Sequence, residues 1–325
     1  MAQHGIQEGW WTVKWPNQDR YDLVEFVRMT PGSTPDAWGY RNNPNEPLKP
    51  LSPMLGDQAS LNGIPSHVIQ DIGQLIHESK SFGTTCFYRG HRRFEWDLTP
   101  AVFRKSCKGD ERSMLNDFRT HAPIRYMNSP VEGDLCSWLA LAQHYGLPTR
   151  LLDWTLSPLV AAYFATEPHV DDDDRAGAIW VLNPMKLNKM VADEDGLICL
   201  TEDNEVVADL VEPAFDDKVP SIRRVIAVVP CQRDLRHLVQ QSTFTLHGND
   251  LSLQAWREEL MPRSAEHGSL LLCAHIPSWS KVQIREELDR LAVHEASLFP
   301  DLANLARFVS RDKRHWKPNN DATSV

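Results

Sequence analysis

Residues 143–165 constrain the fold of this chain more strongly than any other segment. An apolar helical pattern ends there at Gly146 and Pro148, which interrupt helices, and a short apolar run and Ser157-Pro158 follow. Serine at the N-cap and proline in the first turn are typical of a helix start. A helix, a turn, a short strand and a second helix are therefore predicted within this segment, with polar and aromatic side chains concentrated in the turn.

The strands are predicted mostly in the second half of the chain. Runs of β-branched and other apolar residues, which are typical of buried strands, lie at residues 178–182, 225–229, 243–246 and 270–276. Elsewhere, apolar residues recur at helical spacing, as in residues 282–291. Helices and strands in this mixed order predict an α+β fold.

The N-terminal part shows little periodicity. Residues 1–63 are rich in proline, asparagine, glycine and tryptophan, and we interpret them as an irregular N-terminal arm with a short strand at 10–14 and a short helix at 21–28. Residues 64–316 are predicted to form one domain, and residues 317–325 a disordered tail.

The net charge of −10 is concentrated in one stretch. Residues 193–217 carry ten acidic residues and no basic one, so the rest of the chain is neutral and an anionic partner is compatible with it. Ten unpaired carboxylates would repel a dinucleotide. The stretch is therefore predicted to be a surface excursion between two strands, outside any site, and dispensable for the fold.

Several function classes are excluded by patterns that the sequence lacks. Six cysteines without a CxxC pair indicate reduced thiols in a cytoplasmic protein rather than a disulfide framework or a zinc ribbon. No two histidines have metal-ligand spacing near a carboxylate, so no metal is expected. No apolar run approaches about 20 residues, so no membrane helix is expected. The signatures GxGxxG, P-loop, GxSxG and HExxH are absent.

Arg89 follows the apolar and aromatic residues of a predicted buried strand at 84–90. A guanidinium at the end of such a strand is costly unless an anion accompanies it, and its forked donors suit a phosphate or a carboxylate. Gly90 would let a ligand approach the backbone closely. The alternative is that Arg89 pairs with a carboxylate of the core.

The turn and helix start in residues 143–165 form a second candidate site. A helix N-terminus offers unpaired N–H groups and suits a pyrophosphate, and Tyr145 and Trp154 are suited to stack on a planar ring. The alternative is that Asp153, Thr155 and Ser157 only cap the turn and the helix.

These two segments together resemble a known family. The motif Phe87-Tyr88-Arg89-Gly90 resembles the first block of the FRG domain family, which is named for its Phe-Arg-Gly motif. Residues that match this block further along are Trp96, Leu98, Pro100 and Arg104. Residues 143–165, QHYGLPTRLLDWTLSPLVAAYFA, resemble its second and most specific block, and residues 298–302 its C-terminal block. Thr99-Pro100 departs from the Pro-Ser that is usual in the family.

The resemblance implies an enzyme. FRG domains look like distant relatives of ADP-ribosyltransferases, and some act as toxins in anti-phage or toxin–antitoxin systems. The implied fold is an ADP-ribosyltransferase-like split β-sheet core with flanking helices. The implied substrate is NAD, without a metal. The implied acceptor is a protein or RNA or DNA, and an inhibitory antitoxin-type protein is an implied partner.

The resemblance also assigns roles to residues. Arg89 would clamp the pyrophosphate or a ribose hydroxyl, and Ser157 would fix the amide or a phosphate. The glutamate of arginine-type transferases has no match, so Gln241 or Asp301 would hold the ribose 2′-hydroxyl. The implied NAD-binding residues are Tyr88, Arg89, Gly90, His144, Tyr145, Arg150, Asp153, Trp154 and Thr155.

Two alternatives to the transferase stay open. The first is a non-catalytic module that binds a nucleotide or a partner through the same residues. The second is a cysteine hydrolase with Cys136 as nucleophile and with His144 and Asp153 as base and orienting group. Cys136 and His144 are two turns apart on one predicted helix, too far for direct contact.

Overall fold

The fold is taken from a computed structural model of the 325-residue chain. The structure describes residues 9–14, 21–28, 38–50, 64–65, 67–80, 85–107, 110–169, 175–231, 235–255 and 270–311. The tail predicted at residues 317–325 lies outside these ranges. Among the helices of the described ranges, none has both the length and the apolar composition that crossing a membrane requires.

The N-terminal part contains an antiparallel sheet of five strands in the order β4-β3-β2-β1-β5. Its strands are β1 (Gly9–Lys14), β2 (Tyr21–Arg28), β3 (Trp38–Arg41), β4 (Lys49–Pro50) and β5 (Ile64–Pro65). The predicted strand at 10–14 is confirmed, whereas the predicted irregular arm and the helix at 21–28 are wrong. β2 pairs on both sides, and its aromatic and branched residues favour a strand.

The second sheet has eight strands in the order β10-β11-β12-β8-β7-β9-β13-β6. Its strands are β6 (His67–Val68), β7 (Phe87–His91), β8 (Leu151–Thr155), β9 (Gly177–Leu182), β10 (Ile198–Leu200), β11 (Val225–Pro230), β12 (Ser242–His247) and β13 (Leu271–Ile276). The late strands predicted from β-branched runs are confirmed, and so is the α+β class.

Helices flank this sheet. The longer ones are α1 (Ile72–Ser79), α2 (Glu111–His121), α3 (Leu135–His144), α4 (Pro158–Thr166), α5 (Pro184–Ala192), α6 (Glu205–Val211), α7 (Leu235–Gln240), α8 (Lys281–Arg290), α9 (Glu295–Leu298) and α10 (Leu302–Arg311). The predicted start of α4 is confirmed: the Ser157 hydroxyl accepts a hydrogen bond from the Val160 N–H, and Pro158 is the first helical residue.

The large sheet is nearly divided between β7 and β8. These two strands share a single residue pair, Tyr88 with Thr155, although each forms a long ladder with its other neighbour. Beyond that pair the strands diverge, so Arg89 and Gly90 have no ladder partners on β8. The sheet therefore consists of two halves with a gap between them.

Helix α4 covers β7 at very close range. A Cβ on Gly90 would lie 1.9 Å from the Ala161 carbonyl oxygen and 2.7 Å from the Ala165 nitrogen. Gly90 is therefore needed for the packing of backbone on backbone. This packing role adds to the prediction that Gly90 lets a ligand approach the backbone, which stays a prediction.

Part of the acidic stretch belongs to the core, which contradicts the prediction of a surface excursion. β10 pairs in parallel with β11, and Ile198, Leu200 and Val207 are buried in a cluster with residues of β11 and β12. The apolar positions within the stretch follow the sheet and α6, while the carboxylates lie between them. Deletion of residues 193–209 would therefore remove core residues.

Candidate functional site

A cavity of about 690 Å³ opens where β7 and β8 diverge. This volume lies within the range of small-molecule sites. The lining residues come from β7 and the segment that follows it, the end of α3 and the turn after it, β8, α4 and the residue after it, the end of α7, and β12. They are Tyr88, Arg89, Gly90, Arg92, Trp96, Ala101, Gln143, His144, Tyr145, Gly146, Leu147, Asp153, Trp154, Thr155, Val160, Phe164, Glu167, Gln240, Ser242 and Phe244.

The Arg89 side chain, 17% exposed, fills the gap between the two strands. Its Nη1 donates to the Asp153 carbonyl oxygen at 2.5 Å, and its Nε donates to His91 Nε2 at 3.0 Å. The bond to the Asp153 carbonyl oxygen takes the place of a backbone hydrogen bond that the diverging strands β7 and β8 do not make. Arg89 is thus mostly buried and faces a cavity that Asp153 and Thr155 also line, whereas Ser157 does not line it. Its nearest carboxylate, Asp153, lies at 3.9 Å on the cavity wall rather than in the core.

The electrostatics around Arg89 keep one group charged and its neighbour neutral. Burial lowers the pKa of Arg89 to about 10, so the guanidinium stays charged near neutral pH. Burial, with the charges of Arg89 and Arg104, holds the pKa of His91 well below its ordinary value. A neutral His91 is required for its Nε2 to accept the bond from Arg89.

Asp153 is the carboxylate that the cavity exposes. Its side chain is 57% exposed, and the Gln143 amide nitrogen lies 2.9 and 2.8 Å from its two oxygens. Asp153 was predicted as a site residue, whereas Gln143 was missed. The signal for Gln143 was its position in the same polar turn.

A second carboxylate–guanidinium pair was missed as well. Arg92 Nη1 lies 3.5 Å from a Glu167 oxygen, and its guanidinium carbon lies 5.5 Å from the centre of the Trp96 ring. Arg92 directly follows β7, whereas Arg89 is the central residue of that strand, and both side chains line the cavity. The cavity wall thus carries two cations and two anions.

The aromatic residues differ in their access to the cavity. Tyr145 is 59% exposed and makes edge contacts with His144 and Tyr126, so its ring is available to a ligand. Tyr88 is buried, which raises the pKa of its hydroxyl to about 12. Trp154 is 3% exposed and donates its indole N–H to the Thr245 hydroxyl. The predicted stacking role of Trp154 is therefore wrong, because its ring belongs to the core.

Arg150 does not reach the cavity. Its guanidinium is buried and donates to both oxygens of Glu111, at 3.1 and 2.7 Å to one oxygen and 3.3 Å to the other, and to the Leu210 carbonyl oxygen. The predicted contact of Arg150 with NAD is wrong. Because the Arg150 guanidinium binds a buried carboxylate of α2 and a carbonyl oxygen of α6, it links these two helices to the start of β8 inside the fold.

The hydroxyls at the end of β8 and at the start of α4 serve the fold. The Thr155 hydroxyl donates to the Gln240 carbonyl oxygen and accepts from the Ser157 N–H, and the Ser157 hydroxyl caps α4. Thr155 lines the cavity while Ser157 is not among the lining residues. For Thr155 and Ser157, the structure therefore agrees with the alternative in which their hydroxyls only cap the turn and the helix.

Gln241 and Asp301 are also absent from the cavity lining within the described part of the chain. Gln241 is exposed, has a left-handed φ of 49° between α7 and β12, and accepts a bond from the Leu156 N–H through its carbonyl oxygen. Asp301 is exposed, and bonds from Asn304 at the start of α10 lower the pKa of its carboxyl. The structure does not bring either side chain to Arg89.

The cysteine hydrolase alternative is contradicted by the burial of Cys136. This residue lies at the start of α3 in the core, and burial raises the pKa of its thiol to about 12. Thiolate is the nucleophilic form of cysteine, and Cys136 does not line the cavity. Across the described ranges, no group of three or more His, Cys, Asp or Glu residues is arranged to hold a metal ion.

Acid is expected to destabilise the protein through His247, which is buried beside Thr245. Burial, with the charge of Arg89, lowers the pKa of His247 from 6.5 to about 3. As the pH falls below about 6.5, His247 takes up a proton in the unfolded chain but not in the folded one. The free energy of unfolding that His247 contributes is therefore fully present above that pH and decreases as the pH falls toward 3.

Urea unfolding should show that lowering the pH from about 7.5 to about 5 removes about 2 kcal/mol through His247. The His247→Gln variant lacks this proton uptake and should depend less on pH. An equal pH dependence in the parent and the variant would contradict the assignment.

Comparison with known proteins identifies the segment that builds the cavity. Residues 84–174 match the model of the FRG domain family. The matched range contains β7, β8 and α4, and most of the cavity lining, including Arg89, Gln143 and Asp153. Neither a search of the curated proteins nor a search of the solved structures found a match.

Proposed function

We propose that this chain, which carries an FRG domain at residues 84–174, is an ADP-ribosyltransferase that uses NAD as its substrate. The observation that carries the proposal is the position of Arg89 and Asp153 together at the gap in the sheet, on the wall of a cavity. One supplies a forked cation and the other an exposed carboxylate. A forked cation suits the pyrophosphate of a dinucleotide, and a carboxylate suits the positive charge that develops when the nicotinamide–ribose bond breaks.

The chemistry is a substitution at the ribose carbon that bears nicotinamide. The carbon–nitrogen bond breaks and its electron pair leaves with nicotinamide, so positive charge develops on the sugar. A nucleophile of the acceptor forms the new bond and releases its proton. A carboxylate near that carbon stabilises the transition state more than the ground state, and this is the role that we propose for Asp153.

Arg89 is proposed to bind the pyrophosphate. Its Nε and Nη1 are engaged with His91 and the Asp153 carbonyl oxygen, and these bonds fix the plane of the guanidinium at the cavity wall. A fixed fork loses little conformational entropy when it binds a phosphate. Arg92, on the same wall, is proposed to add charge for the second phosphate.

The assignment of Asp153 replaces two sequence-based hypotheses. Gln241 and Asp301 were the candidates for the missing glutamate, yet neither lines the cavity. The nearer carboxylate oxygen of Asp153 lies 3.9 Å from Arg89 Nη1, and the Gln143 amide holds this carboxylate by hydrogen bonds. The nearly divided sheet supports the proposed relation to ADP-ribosyltransferases, because a gap between two sheet halves provides a cleft for an extended ligand.

A non-catalytic nucleotide-binding module is the second candidate. One observation favours it: several polar groups of the second motif, among them Arg150, Thr155 and Ser157, are used inside the fold. A motif that builds a cavity need not carry out chemistry in it. The two candidates differ in whether nicotinamide is released.

The decisive measurement is incubation of the purified chain with NAD, alone and with cell lysate, and quantification of free nicotinamide. We expect release that depends on enzyme concentration, together with NAD binding by calorimetry. Label from the adenylate part of NAD should appear on an acceptor, and digestion with protease or nuclease then identifies it as protein or nucleic acid. Binding without release in either condition would favour the binding module, and the absence of binding would overturn both candidates.

Arg89→Lys is the matched variant for the binding part of this proposal. A lysine cannot bond His91, the Asp153 carbonyl and a phosphate in one plane, so NAD affinity should fall by about 10-fold or more. The thermal midpoint of the variant must be measured in parallel. Parental affinity in a folded Arg89→Lys variant would contradict the role of the fork.

A further inference from the structure

We infer that Gln143 is a positioning residue that holds the Asp153 carboxylate apart from Arg89, and that Thr149 sets the direction of the Gln143 amide. The inference rests on the proposed function for its effect on catalysis, but the hydrogen-bond relay itself is independent of that function. The three side chains, with the Leu151 N–H, link the end of α3 to the middle of β8.

The direction of the relay follows from the Thr149 hydroxyl. Its oxygen accepts the Leu151 N–H at 3.1 Å and lies 2.6 Å from Gln143 Oε1. Thr149 is fully buried, so its single proton is donated to Gln143 Oε1. The amide oxygen is thereby committed, and the amide nitrogen must point to the other side.

On that other side lies Asp153. Gln143 Nε2 is 2.9 Å from one carboxylate oxygen and 2.8 Å from the other, whereas Arg89 Nη1 is 3.9 Å from the nearer oxygen. The carboxylate is therefore held by a neutral donor at hydrogen-bond distance, with the cation beyond it. Without this donor the carboxylate would rotate toward Arg89 and form a closer ion pair, because opposite charges attract strongly at a partly buried site.

The separation matters for a site that needs both charges. Arg89 must present donors to an anionic ligand, and Asp153 must present an oxygen to a cationic centre. A direct ion pair between them would partly neutralise both. The relay is built into the turn, where Gly146 has a φ of 84° and its N–H donates to the Gln143 carbonyl oxygen. This turn reverses the chain, so that Thr149 returns to Gln143.

The test compares Thr149→Val with Thr149→Ser. Valine has nearly the same shape but no proton to donate, so the Gln143 amide loses the bond that anchors its oxygen and no longer holds the Asp153 carboxylate in a fixed position. We expect kcat for nicotinamide release to fall by about 10- to 100-fold, with the KM for NAD nearly unchanged, and we expect serine to retain the parental kcat. Thermal midpoints of both variants separate this effect from a loss of folding.

A double-variant cycle tests whether Thr149 acts through Gln143. Gln143→Ala should lower kcat by a similar factor, and Thr149→Val should have no further effect in the Gln143→Ala background, because a residue that acts through another is not additive with it. Additive losses, or equal kcat in Thr149→Val and Thr149→Ser, would overturn the inference.

A second readout does not depend on activity. The side-chain amide of Gln143 gives a pair of signals in a proton–nitrogen NMR spectrum, identified by their loss in Gln143→Ala. These signals should shift in Asp153→Asn and in Thr149→Val but not in Thr149→Ser. If the parent chain releases no nicotinamide and the shifts occur, the proposed function fails and the relay stands. If the signals are insensitive to Asp153→Asn, the relay fails regardless of activity.

Discussion

Replacing Asp153 with asparagine is expected to lower the rate of nicotinamide release by about 10²–10³-fold while the affinity for NAD changes little. Asparagine keeps the size and the hydrogen-bonding shape of the side chain but removes its charge. A charge that acts on a developing cation is used in the transition state and contributes little to the bound ground state. Single-turnover kinetics with NAD in excess over its dissociation constant would measure the effect on the chemical step.

Asp301→Asn is the matched control. It is the same chemical change at an exposed carboxylate, and asparagine can still cap α10 as Asp301 does through Asn304. It should leave release of nicotinamide at the parental rate. If Asp301→Asn lost activity while Asp153→Asn stayed active, Asp301 rather than Asp153 would be the carboxylate that acts on the ribose.

The sequence was sufficient to predict the parts of the site that depend on local pattern. Ser157-Pro158 marks a helix start by its own chemistry, and the structure has that helix start. Arg89 at the end of an apolar strand required a polar environment at the surface of the core, and the structure provides it through His91 and Asp153. For Ser157-Pro158 the physical requirement is met by neighbouring residues, whereas for Arg89 only the need for a partner is local, because Asp153 is 64 residues away along the chain.

The errors arose where a side chain's role depends on a distant partner. Arg150 lies in the same motif as the cavity residues Gln143 and Asp153, but its guanidinium binds Glu111 from α2, and no local sequence pattern predicts that contact. Trp154 is likewise committed by Thr245 on β12. A polar or aromatic residue in a motif is therefore ambiguous until the elements that pack against it are placed.

Gln241 shows the same limit on a smaller scale. Its two neighbours, Gln240 and Ser242, both line the cavity, while Gln241 does not. The left-handed backbone at Gln241, with a φ of 49°, places it at the turn between α7 and β12. Position along the chain therefore could not identify which residue lines the cavity, because the conformation of a tight turn decides it.

The largest effect on stability is expected from Gly90→Ala. The added Cβ would lie 1.9 Å from the Ala161 carbonyl oxygen and 2.7 Å from the Ala165 nitrogen, distances at which atoms overlap. Both contacts are to the backbone of α4, so relief requires a shift of the whole helix from β7 rather than a change of rotamer. Because α4 packs against β7 and β9, such a shift would separate its buried alanines from Tyr88 of β7 and Ile179 of β9.

We expect the free energy of unfolding to fall by about 3 kcal/mol or more in Gly90→Ala, since overlap with a buried backbone is among the most damaging substitutions. Gly133→Ala is the matched control, because a Cβ there would have no heavy atom within 4 Å, and its effect should stay within about 0.5 kcal/mol. Urea unfolding followed by tryptophan fluorescence measures both. Equal stability of the two variants would show that α4 can move away from β7 at little cost, and the cavity between β7 and β8 would then not be a fixed feature of the fold.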